Sequence, residues 1–96
     1  MALKATEISL STRVKRKEIF VSEIGDELIL FDEDAGRYFA TGPVGARIWE
    51  WIATERSIGE ICDALQKEFE VSAETCETEC MAFVARLKDQ GLASIA

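Results

Sequence analysis

Apolar residues first gather at Ile19-Phe20-Val21-Ser22-Glu23-Ile24, a β-branched and aromatic run of strand character. Gly25-Asp26 breaks it. Leu28-Ile29-Leu30-Phe31 follows, short and continuously apolar, the pattern of a central strand buried on both faces. Asp32-Glu33-Asp34-Ala35-Gly36 predicts a tight turn, because the acids lead into a glycine free to take positive φ. Arg37-Tyr38-Phe39-Ala40-Thr41 makes a third strand. Two short connections between successive strands predict a three-stranded antiparallel meander.

The periodicity then becomes helical. Gly42-Pro43 ends the strand and opens a helix, in which Val44, Ile48, Trp49 and Ile52 recur on one face and Trp51 lies on a flank. Ser57, with Glu60 three residues on, predicts a capping box for a second helix, Ile58–Glu70, striped by Ile58, Ile61, Cys62, Leu65 and Phe69. Ser72 begins a third helix reaching Gln90, with acids near its positive end and a stripe of Cys76, Cys80, Phe83, Val84 and Leu87. Gly91 stops it, and Leu92 can fold back as the hydrophobic contact that accompanies such a stop. Strands before helices give an α+β class: a three-stranded antiparallel sheet followed by three α-helices, the last two in winged helix-turn-helix proportions.

With 96 residues, 48% of them apolar, the chain supports one packed domain. Of its 11 basic and 18 acidic residues, five basic (Lys4, Arg13, Lys15, Arg16, Lys17) and one acidic (Glu7) fall in residues 1–17. That leaves 6 against 17 in the remainder, a net of −11. Residues 1–17 therefore read as a basic, solubilising N-terminal tail and residues 18–96 as the folded domain. No apolar run approaches the ~18 residues a bilayer needs, and the N-terminus has no signal-peptide pattern. The expectation is a cytoplasmic protein with no membrane partner.

Three cysteines, Cys62, Cys76 and Cys80, are an odd number and read as free thiols. Without histidine or a paired CxxC, no metal site is expected. The same lack of histidine denies the chain a Ser-His-Asp or Cys-His pair. No phosphate-cradling glycine loop is present either. The carboxylates fall on polar helix faces and in turns, where solvation accounts for them. The expectation is a non-catalytic binding protein with no cofactor.

Two surfaces could bind. The third strand, Arg37, Tyr38, Phe39, Ala40 and Thr41, is short and nearly uncharged, and it would form one edge of the meander. It reads either as core joining sheet to helix or as an open edge for an extended peptide, and alternate residues can serve both ends. On the third helix, Glu77, Met81, Val84 and Lys88 share a second face, either a solvated flank or the wall of a groove. A winged-helix DNA-binding regulator is the alternative function. It would need a basic recognition helix, whereas Glu74, Glu77, Glu79 and Asp89 outnumber Arg86 and Lys88 in the third helix. The acidic body argues against a nucleic-acid partner. A third reading is an oligomerisation module that pairs edge strands of two copies.

The block Asp32-Glu33-Asp34-Ala35-Gly36-Arg37-Tyr38-Phe39-Ala40, continued by Gly42-Pro43-Val44-Gly45-Ala46-Arg47-Ile48-Trp49-Glu50, resembles the signature of PqqD-like proteins, an acidic turn followed by G-x-Y-[YF]-x-L-N-x-x-G-x-x-I-W. Ser57-Ile58, Ile61, Leu65, Phe69-Glu70-Val71, Phe83, Leu87 and Gly91-Leu92 extend the likeness over about residues 11–95. It is most similar to the stand-alone leader-binding proteins of lasso-peptide clusters. The resemblance implies a recognition element for ribosomally synthesised, modified peptides (RiPPs), in which the leader of a precursor peptide is held as an added strand against the third strand and beside the third helix. Carried over, the leader would touch Arg37 to Thr41 and Glu77, Met81, Val84 and Lys88. The implied second partner is a processing enzyme, a leader peptidase or cyclase. Thr41-Gly42 departs from the family's Leu-Asn, and Glu79 stands where an aspartate is common.

Overall fold

Two apolar-rich segments, the second alternating in burial, pair through a glycine turn to start the first sheet. A computed structural model, describing residues 8–96, forms β2 at Phe20–Ile24, β3 at Glu27–Asp32 and β4 at Arg37–Ala40, after a short β1 at Arg13–Arg16. The order β2-β3-β4 is the antiparallel meander the sequence predicts. Gly25 and Gly36, at φ 63° and 65°, supply the left-handed positions of its two turns.

Three helices follow: α1 (Gly42–Trp51), α2 (Ile58–Glu68) and α3 (Ala73–Asp89). Their ends are set locally. Ser57 Oγ accepts the Glu60 N–H at 3.1 Å while Glu60 Oε1 accepts the Ser57 N–H at 2.8 Å, the reciprocal capping box. Ser72 Oγ accepts the Thr75 N–H at the head of α3. At its tail Leu92 N–H donates to Leu87 O and Gly91 N–H to Lys88 O, a Schellman stop with Gly91 at φ 72°. Leu92 is buried, as that motif requires.

The expected tail at residues 1–17 is corrected. Its first seven residues lie outside the described ones, but Arg13–Arg16 is a strand at the centre of a second sheet. It pairs antiparallel with β5 (Arg56–Ser57) on one side and β6 (Ala93–Ile95) on the other. Val14, with 0% exposure, is the single apolar anchor that burial selects. The flanking charges are used as well: Arg13 Nε donates to Glu55 Oε2 at 2.8 Å, and Arg16 lies 5.3 Å over the Trp49 ring. Lys17 Nζ meets Asp34 Oδ2 at 3.3 Å.

One core serves both sheets. Leu28, Leu30 and Phe39 point inward from the meander against Ile48 and Trp49 of α1 and Ile52 at its C-terminal cap. Ile61 and Leu65 of α2 and Cys80, Phe83, Val84 and Leu87 of α3 complete it. A second correction concerns β3: it is central in its sheet, but only Leu28, Leu30 and Asp32 are buried, while Ile29 and Phe31 on the other face stay partly open. A continuous apolar run cannot say whether both faces are covered. No helix among the described residues is long and apolar enough to cross a membrane.

Candidate functional site

The β3–β4 hairpin fixes the edge of the meander. Asp32 is buried, and its Oδ1 accepts the N–H groups of Asp34 and Ala35 at 3.1 and 3.3 Å. Gly36 N–H closes back on Asp32 O at 2.8 Å. The acidic turn is thus a local device: one carboxylate ties down the loop that launches β4.

At the other end, Thr41-Gly42 carries its own solution to the start of α1. Thr41 N–H donates to Leu28 O at 3.0 Å, and its hydroxyl accepts the Leu28 N–H at 3.0 Å while donating to Gly42 O at 2.8 Å. Gly42, at φ 72°, donates its N–H to Glu27 Oε1 at 3.3 Å. The departure from Leu-Asn is therefore absorbed by a side chain closing the ladder and a glycine taking the left-handed corner.

The Thr41-to-Leu28 bond also sets the phase of the ladder. In an antiparallel pair, hydrogen-bonded and non-bonded partners alternate. Phe39, paired with Leu30, and Arg37, paired with Asp32, therefore turn their backbone groups toward β3. Tyr38 and Ala40 turn theirs outward. Among the described residues no strand pairs with that outer side, since β4 is the end of its sheet.

Beside this edge lies a groove of about 350 Å³ between the α1 N-terminus and α3, lined by Thr41, Pro43, Val44, Ile48, Phe83 and Arg86 among others. Phe83 forms its floor, edge-on to Phe39 with centroids 5.7 Å apart. The Arg86 guanidinium sits over the Phe39 ring, 4.6 Å from its centroid. Glu79 borders both the groove and a small apolar pocket of about 30 Å³ between the helices, where Val44, Leu65, Phe69 and Val71 meet. The groove is apolar below and flanked by one acid and one base.

The structure does not bring the helix half of the expected site to this edge. The structure brings Arg37, Tyr38, Phe39, Ala40 and Thr41 together at the sheet edge, but α3 turns Glu79, Ala82, Phe83 and Arg86 toward them. At about 100° per residue, Glu77, Met81 and Lys88 lie roughly 120–160° round the helix from Phe83, on the far flank. Val84 is fully buried and has no surface to offer. Helical periodicity locates the core stripe but does not say which of its two borders meets the sheet. The Phe83 neighbours Glu79 and Arg86, at i−4 and i+3, were the available signal.

The thiols are poor nucleophiles. Cys62, Cys76 and Cys80 are free and buried. Burial pushes all three up, Cys62 to about 12, so the reactive thiolate is suppressed. Among the described residues, no group of three His, Cys, Asp or Glu side chains could hold a metal ion.

Residues 27–93 match the family model of coenzyme PQQ synthesis protein D (PqqD). The chain belongs to the PqqD family. Two solved structures are similar to this PqqD-family chain. One is TbiB1 in complex with the TbiA(beta) leader peptide, with a TM-score of 0.74 and 30% identity over 83% of this chain and 94% of that one. The other is a lasso peptide synthetase B1 complexed with the leader peptide, with a TM-score of 0.71 and 27% identity over 88% of this chain and 98% of that one. No curated protein matches it significantly.

Proposed function

We propose that this chain captures the leader of a ribosomal precursor peptide as a strand added to β4 and delivers it to a processing enzyme in lasso-peptide biosynthesis, without chemistry of its own. The observation that carries this reading is the open outer side of β4 next to a groove floored by Phe83, in a chain similar to two leader-bound structures. The outward amides and carbonyls of Tyr38 and Ala40 would supply affinity by main-chain pairing. Side chains of the guest that face inward would enter the groove between Thr41, Phe83 and Arg86. The rest of the meander and the helices hold this edge rigid, so little ordering cost falls on the protein.

Titration of the purified chain with the synthetic leader of a co-encoded precursor, followed by fluorescence anisotropy, tests the reading. Saturable binding that a scrambled leader does not reproduce supports it. No binding to any co-encoded leader overturns it.

A further inference from the structure

The meander has a second face that nothing among the described residues covers. Strand alternation puts Phe20, Ile24, Ile29, Phe31 and Tyr38 on the side away from the helices. Phe20, Ile24 and Tyr38 are 69%, 61% and 74% exposed, and Phe31 stacks on Tyr38 with centroids 4.8 Å apart. A contiguous exposed patch of aromatic and aliphatic side chains on a small protein marks a contact surface.

Its border is acidic. Glu18, Glu33 and Asp34 line the end beside Phe20 and Phe31, and Asp26 and Glu27 stand at the Ile24 end. The cation at this border, Lys17, is held by Asp34. A second copy laid face to face would set acid against acid. A partner whose own apolar patch is ringed by Lys and Arg would meet complementary charge instead.

We infer that the outer face of β2-β3-β4 docks a second protein through an apolar patch with a basic rim, and that this protein is the processing enzyme. The identity of that partner rests on the leader-capture reading above. A guest strand on β4 would extend this same face with its own outward side chains. The enzyme would then meet carrier and guest as one continuous surface, which places the precursor at the enzyme without its leaving β4.

The test is a pull-down and biolayer titration of the co-encoded leader peptidase against the leader-loaded chain, with leader affinity measured in parallel. The variants are Phe20→Ser/Ile24→Ser, on the strand far from β4, and Glu18→Lys/Glu33→Lys, with folding checked by thermal unfolding. The expected result is at least tenfold weaker peptidase binding for both variants and leader affinity within twofold of wild type. Peptidase binding unchanged in both folded variants overturns the inference, as does a wild-type chain that sediments as a dimer and becomes monomeric in Phe20→Ser/Ile24→Ser. A wild-type chain that binds leader but not the peptidase overturns it too. Failure to bind leader at all would instead remove the reading on which it rests.

Discussion

The ring of Phe83 occupies the space a side chain on Gly45 would need: a Cβ added there would stand 2.8 Å from Phe83 Cε1 and 3.1 Å from Thr41 Cβ. This close approach of α1 to α3 lets Phe83 lie under the groove and reach Phe39. Gly45→Ala must displace the ring, an overpacking cost of about 1–3 kcal/mol. Urea denaturation should show that loss, and Phe83→Leu should recover part of it in the double variant because the two sites share the space. Additive effects would mean the ring moves aside freely.

Ala40→Pro removes an N–H that points away from β3, at an edge where proline is tolerated. Stability should change by less than about 1 kcal/mol, while leader affinity falls at least tenfold, roughly 1.4 kcal/mol. Phe39→Pro takes a donor out of the β3 ladder and should instead lower the unfolding midpoint. Equal leader affinity for Ala40→Pro and wild type would contradict the strand-addition geometry.

The face of α3 that meets a guest can be separated from its far flank. Arg86→Ala loses the contact over Phe39, about 0.5–1 kcal/mol, and with it one charged border of the groove. Arg86→Ala and Glu79→Ala should each weaken leader binding roughly three- to tenfold. Glu77→Ala and Lys88→Ala should stay within twofold. The reverse order in a calorimetric titration would return the site to the flank that periodicity first suggested.

What was legible in the sequence was what short-range physics decides. The capping box of Ser57 and Glu60, the Gly91–Leu92 stop and the turn tied by Asp32 all depend on residues within a few positions of one another. β1 was not legible: Val14 is one apolar residue among charges, and its partners, Arg56–Ser57 and Ala93–Ile95, are short and distant in sequence. The edge at Arg37–Thr41 could be read because a meander of three must end somewhere. The border of α3 beside it could not, since the Phe83 stripe has two flanks and only the packing of α1 against α3 chooses between them. The run Leu28–Phe31 shows the converse error, an apolar face mistaken for a buried one.

The buried thiols predict the response to alkaline pH. Burial holds the Cys62 thiol at about 12 and raises those of Cys76 and Cys80, whereas an unfolded cysteine titrates near about 8.5. Above that value the unfolded chain releases protons the folded one keeps, so this contribution is complete below about pH 8 and shrinks as pH rises toward 12. Urea midpoints at pH 7.5, 9 and 10.5, under a non-thiol reductant, should decline. Cys62→Ala/Cys80→Ala should flatten the slope even while lowering the starting midpoint. Parallel slopes for variant and wild type would show that other groups set the alkaline limit.

The strand-addition account is tested most directly by amide hydrogen exchange, residue by residue, on the chain with and without a saturating leader peptide. The amides of Tyr38 and Ala40 should exchange freely alone and become strongly protected when the leader binds, with Phe39, already bonded to β3, changing little. Leader binding that leaves Tyr38 and Ala40 as open as before would contradict it.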